Sequence, residues 1–95
     1  MAAFAVVDVE IHDIEAYLVY QKAASVLLES AGARYLARGG EYKVFAGDYQ
    51  PRRLIIVEFP SLAAMEDFYE SEGYRSLEAQ RLACSRACII GVAGL

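Results

Sequence analysis

Two stretches of this chain are apolar at nearly every position, and together they restrict the fold more than any other feature. Met1 to Glu10 (MAAFAVVDVE) opens as a run of small and β-branched residues before turning acidic, and Leu54 to Phe59 (LIIVEF) repeats the pattern until Pro60 closes it. A strand with one wetted face alternates apolar and polar residues, whereas a run that is apolar on both parities belongs to a strand buried on both sides. Both runs therefore predict central strands, and a sheet built on them needs cover on two faces. The chain has 95 residues with which to supply it. A domain of this size withdraws only roughly 60 to 65% of its unfolded surface from water. Yet 57% of the residues are hydrophobic, with seven tyrosines and four phenylalanines among them. The surplus predicts a second buried surface.

The intervening segments supply helices and outer strands. Asp13 is placed to cap a helix over Ile14 to Ala31, where Ile14, Tyr17, Leu18, Ala24, Leu27, Leu28 and Ala31 recur at helical spacing and Gly32 provides the stop. Arg34 to Arg38 is short and strand-like. Gly39-Gly40 then permits a bend, and Tyr42 to Phe45 resumes extended chain, as an interrupted edge strand or a hairpin arm, before the turn signal Gly47 to Pro51. Ser61 is a good N-cap for a helix from Leu62 to about Glu70. Gly73 interrupts that pattern, Tyr74 to Ala83 reads as a second short helix carrying Leu77 and Leu82 inward, and Arg86 to Val92 is the last strand. The order βαββαβ fits an α+β, ferredoxin-like split arrangement with an antiparallel sheet in the order 4-1-3-2, one domain over residues 1–95. Its helices cover one face of the sheet. The apolar residues on the other face predict a homodimer that stacks sheet against sheet about a two-fold axis.

Charge and motif content exclude several functions. Nine Lys plus Arg against thirteen Asp plus Glu give a formal charge of -4, without the basic stripe that nucleic-acid binding uses. No apolar run approaches the roughly 18 to 20 residues of a membrane span. A charged N-terminal segment followed by a long apolar stretch is also missing, so no membrane partner and a cytoplasmic location are expected. Cys84 and Cys88 are the only cysteines and His12 the only histidine, which is too little for a tetrahedral metal site. In an extended strand the two cysteines would stand about 13 Å apart, out of disulfide reach, so reduced thiols are expected. A phosphate-cradling glycine loop, GxSxG and HExxH are all lacking. Neither a nucleotide-dependent enzyme nor a cofactor is expected.

In this topology one end of the sheet gathers the polar candidates: Asp8, Glu10 and His12 at the exit of the first strand, Asp13, Tyr17 and Tyr20 at the start of the first helix, Arg38, Gly39 and Gly40, Arg52 and Arg53, and Tyr69, Ser71 and Tyr74. A carboxylate late in a buried strand is costly unless paired, so Asp8 is expected against Arg38 or Arg52. That pair is either a structural bridge between strand ends or a device in which Asp8 orients Arg38 toward a substrate carboxylate. Paired glycines after Arg38 would let a ligand approach the backbone at Gly39, or form a simple bulge. His12 is either a general acid or base or an exposed loop residue. Tyr17, Tyr20, Tyr69 and Tyr74 either line a pocket or pack the core, with Tyr74, nearest a loop, the leading candidate for a ligand.

Val9-Glu10 with Asp13 and Tyr17-x-x-Tyr20, then Arg38-Gly39-Gly40, Gly47-Asp48, Pro51-Arg52-Arg53-Leu54, Glu58-Phe59-Pro60-Ser61 and Tyr69-x-Ser71-x-x-Tyr74 together resemble the family of domains of unknown function numbered 1330, small bacterial proteins of the dimeric α+β barrel type. The likeness runs over nearly the whole chain; Ile14 stands where many relatives place proline. It implies a homodimer whose two sheets form a barrel, with no agreed reaction. The wider fold includes cofactor-free monooxygenases, isomerases and heme enzymes, and fold alone does not choose among them. Heme is disfavoured, because its axial histidine would have to be His12 in a loop. Three functions follow. The first is a dimer binding a small organic ligand, with Arg38 and Gly39 at an anionic group and Tyr17, Tyr69 and Tyr74 around the apolar part. The second is a cofactor-independent isomerase or monooxygenase using His12 or Asp8 as base, and the third is a structural dimer.

Overall fold

A computed structural model describes residues 1–95. The elements are β1 (Ala3–Ile11), α1 (Ile14–Ser30), β2 (Arg34–Arg38), β3 (Leu54–Phe59), α2 (Leu62–Glu70), α3 (Glu72–Cys84) and β4 (Ser85–Ala93). The strands form one antiparallel sheet in the order β2-β3-β1-β4, which is the expected order read from the opposite edge. The two apolar runs are its inner strands. Because side chains alternate across a sheet, Ala3, Ala5 and Val9 of β1 and Ile55, Val57 and Phe59 of β3 are buried beneath the helices. Phe59 is fully enclosed, with its ring 5.5 Å from Phe68 and 6.1 Å from Tyr69. Burial of one such side chain contributes about 1.5 to 3 kcal/mol, so this aromatic cluster fastens α2 to the sheet.

The helices begin where the sequence places them. Asp13 accepts from the Ala16 N–H at 3.2 Å and Ser61 from the Ala64 N–H at 3.0 Å, while Gly32 ends α1 with φ +77°. The buried stripe of α1 is Tyr17, Tyr20, Ala24 and Leu28. Ile14 and Leu18, expected on it, are exposed: Leu18 is rotated about 100° from Tyr17, and Ile14 opens the helix one turn before the first buried residue. The same offset exposes Leu82, one position after the inward-facing Arg81. The break between α2 and α3 falls at Ser71 rather than Gly73, which lies within α3. Ser71 donates its hydroxyl to the Phe68 carbonyl and accepts from the Tyr74 N–H, so one side chain ends α2 and starts α3. Cys84 closes α3 instead of lying in a strand, and both cysteines are free thiols.

Residues Tyr42 to Phe45 do not resume a strand. β2 pairs with β3 only from Arg34 to Arg38, around a bulge between Tyr35 and Ala37. Beyond the Gly39 N–H to Leu54 carbonyl bond at 2.8 Å the chain has no strand beside it, and unpaired extended backbone has no ladder to hold it. The segment returns on the helix-free side, where the Tyr49 hydroxyl donates to the Asp8 carboxylate; at its tip Phe45 is 94% exposed.

That helix-free face is amphipathic along its length. Register places Phe4 opposite Glu58 and Val92, Val6 opposite Ile56 and Ile90, Asp8 opposite Leu54 and Cys88, and Glu10 opposite Arg86. Directly opposed residues point to the same side, so Phe4, Val6, Ile56, Ile90 and Val92 form an apolar half bordered by the Arg34–Glu58 ion pair, and the half toward the β1 exit is charged. Ile90 is 58% and Val92 52% exposed.

Candidate functional site

A cavity lies between the sheet and the helices. Its floor is Val7, Val9, Ile55, Val57, Ala87 and Ile89; its roof is Tyr17, Tyr20, Gln21 and Ala24 of α1 with Tyr74 and Arg81 of α3, and Tyr35, Phe68 and Tyr69 close the side. The enclosed volume is about 50 Å³, room for a few water molecules. The polar groups that reach it are linked. Tyr20 and Tyr74 hydroxyls lie 3.0 Å apart, and the Arg81 Nε–H donates to the Tyr74 hydroxyl at 3.2 Å. Arg81 is only 12% exposed, and its nearest carboxylate, Glu78, stands 3.8 Å away. The side-chain oxygen of Gln21 is buried without a partner. Across the cavity, Ser25 and Tyr35 hydroxyls meet at 3.0 Å.

Burial drives the electrostatics here. It pushes the Tyr20 and Tyr69 hydroxyls far above the ordinary tyrosine range, helped at Tyr20 by the bond to Tyr74 and opposed at both by the Arg81 charge. It raises Tyr17 as well, against the charge of Arg53. These phenols stay protonated at neutral pH and serve as hydrogen-bonding groups, while Arg81 brings positive charge to an apolar enclosure.

The sequence candidates divide between the two sides of the sheet. Tyr17, Tyr69 and Tyr74 line the cavity. Arg38 lies outside it, its guanidinium 4.5 Å from the centre of the Tyr35 ring, and Gly39 lies beneath Arg53. Asp8 and Glu10 are on the helix-free side. Asp8 is not ion-paired with Arg38 or Arg52, as the sequence suggested: it accepts from Tyr49, from the Arg52 N–H at 2.8 Å and from the Arg53 N–H at 3.4 Å. Backbone donors satisfy it because the chain enters β3 directly beside it. The Tyr49 hydrogen bond holds the Asp8 carboxyl below its ordinary range; burial opposes it, and the Arg52 and Arg53 amides add to the lowering. His12 is 55% exposed, with its ring 3.2 Å from Glu10, and Arg52 bridges the other Glu10 oxygen at 3.1 Å. These two contacts lower the Glu10 pKa, that of His12 most. The acids and the histidine thus form a surface cluster on the side of the sheet away from the cavity and its tyrosines. Arg81, Gln21 and Tyr35 were missed. Arg81 was detectable, since it stands two helical turns after Tyr74 on the inward stripe, where an arginine is out of place.

Residues 2–95 match the family described as Domain of unknown function (DUF1330). The chain belongs to the DUF1330 family. Solved structures resemble this DUF1330 chain over its whole length at low identity. The RPA0582 protein of unknown function from Rhodopseudomonas palustris is 20% identical, with TM-score 0.79 over 99% of this chain and 82% of that one. A dimeric ferredoxin-like protein of unknown function from Jannaschia sp. CCS1 is 13% identical, with TM-score 0.65 over 99% and 100%. SnoaB, a cofactor-independent oxygenase from Streptomyces nogalater, is 11% identical, with TM-score 0.62 over 99% and 93%. At these identities the likeness shows the ferredoxin-like fold of this DUF1330 protein. No curated protein matches the sequence, and no helix is long and apolar enough to cross a membrane.

Proposed function

We propose that this protein is a homodimer that binds a small organic molecule in the tyrosine-lined cavity. The observation that carries the ligand is the buried polar set facing an apolar enclosure: Arg81, the Tyr20–Tyr74 hydroxyl pair and the partnerless Gln21 oxygen. Buried polar groups without partners are costly, and few convergent polar groups on apolar walls are how small-molecule sites are built. The present volume is smaller than an organic ligand needs, so binding displaces a ring or shifts α3. The dimer is supported by the apolar half of the helix-free face and by the dimeric state stated for the Jannaschia protein.

The test is thermal denaturation with phenol as the probe, alongside Ala24→Leu, which fills the cavity from α1. A ligand that binds only the folded state raises Tm, and the rise should vanish in Ala24→Leu. Unchanged Tm with phenol, or a rise that survives the filled cavity, overturns the reading. A cofactor-independent enzyme is the second reading, favoured by Tyr74, a phenol that accepts from a guanidinium and faces the cavity. His12 and Asp8 are poor bases for it because they lie across the sheet. Turnover abolished by Tyr74→Phe without loss of binding would support it.

A further inference from the structure

We propose that Arg53 and Arg38 form a binding site for a small oxyanion, a carboxylate or phosphate group, where β2 leaves the sheet and β3 enters it. The site is distinct from the cavity and does not depend on it. Arg53 is half-buried, its Nε has no hydrogen-bond partner, and it enters none of the chain's ion pairs. Its neighbours differ: Arg52 bridges Glu10 and Arg34 bridges Glu58 at 2.6 Å. In a chain with four more acids than bases, a half-buried guanidinium left without an acidic partner is unusual, because removing that charge from water is costly unless an anion compensates it.

The backbone around Arg53 is shaped to receive its guanidinium. Gly39 has φ +72°, and a Cβ there would stand 2.2 Å from Nη1 and 2.5 Å from Cζ of Arg53. The guanidinium therefore lies against a surface that only glycine leaves open. Gly40 has open space beside it. Arg38, next in the chain, is also outside every ion pair and is held against the Tyr35 ring. Two planar forks at one sheet end, neither of them ion-paired, suit an oxyanion, which can accept parallel N–H bonds from a guanidinium. Parity reinforces the placement: Arg53 extends the series of Ile55, Val57 and Phe59 on the helix side, away from Glu10 and Asp8.

The experiment is a backbone-amide NMR titration of the full chain at low ionic strength with inorganic phosphate, benzoate and phenol. Phosphate and benzoate should shift the amides of Gly39, Gly40 and Arg53, with phenol leaving them in place; the stronger of the two anions identifies the headgroup. Arg53→Met should weaken anion binding by about tenfold or more, the loss expected for hydrogen bonds to a charged group. Arg38→Met should weaken it less, and Arg52→Met should stay within about twofold because that side chain is already paired. Gly39→Ala displaces the guanidinium without changing net charge and should also abolish binding. No shift in the wild type overturns the site, as does binding that survives Arg53→Met or falls equally in Arg52→Met. If phosphate has no effect and Arg53→Met instead changes the mass in solution, the guanidinium serves a subunit interface and the anion site is overturned. Phenol binding with no anion response would leave the cavity intact and remove only this site.

Discussion

Tyr74 answers to two neighbours at once, since its hydroxyl accepts from Arg81 and shares a hydrogen bond with Tyr20. Replacing it with phenylalanine strands a buried guanidinium N–H and a buried phenol, a loss of about 1 to 3 kcal/mol. Tyr20→Phe should cost less, because the Arg81 to Tyr74 bond survives; urea denaturation of the two variants checks the ranking. Asp8 gives a pH signature on the opposite side of the sheet. Its folded-state pKa is depressed below 3.8, so its hold on the Arg52 and Arg53 amides is complete above that value and is lost as pH falls through the lower one. Exchange protection of the Arg52 amide should disappear over that acid window and be absent at neutral pH in Asp8→Leu. Tyr49, donating to the same carboxylate, is pushed up to about 12, and its ultraviolet ionisation should return toward 10 in the same variant. At this scale the tyrosines were legible from their helical spacing. The division between Asp8 and the arginines was not, because a topology that brings an acid and arginines to one sheet end says nothing about the backbone amides there, and those amides were the partners chosen.

Ser71 joins two helices with one hydroxyl. Ser71→Ala removes the cap of α3 and should destabilise the protein by about 1 kcal/mol, whereas Ser76→Ala, an exposed hydroxyl within α3, should be close to neutral; thermal melts of both variants measure the difference. Capping was readable where a polar residue precedes a clear apolar stripe, as at Asp13 and Ser61. It was obscured at Ser71 by Gly73, whose usual meaning as a helix breaker is overridden once Ser71 has capped the helix upstream. Tyr42 to Phe45 failed for a different reason. Alternation of side chains licenses a strand only where a neighbour offers backbone partners, and β3 offers none beyond Leu54.

The whole molecule presents one sheet face to its helices and leaves the other half apolar and half charged. Ile90→Glu places a carboxylate in the apolar half, beside Val6, and should convert the dimer into a monomer of 10.5 kDa by light scattering at micromolar concentration; a monomeric wild type would refute the dimer. Strand order was accessible from the sequence because two doubly apolar runs must be the inner strands and right-handed crossovers leave few other arrangements. Those inner strands also govern how the chain can be assembled. β1 is made first, yet its partners are Leu54–Phe59 on one side and Ser85–Ala93, the last strand, on the other. During synthesis from the N-terminus this inner, doubly apolar strand waits with both edges open, and its second ladder cannot form until β4 has emerged. Pairings so distant in sequence form slowly and leave sticky edges in the interim, so the nascent chain, rather than the finished fold, is the species most exposed to aggregation and most in need of a chaperone.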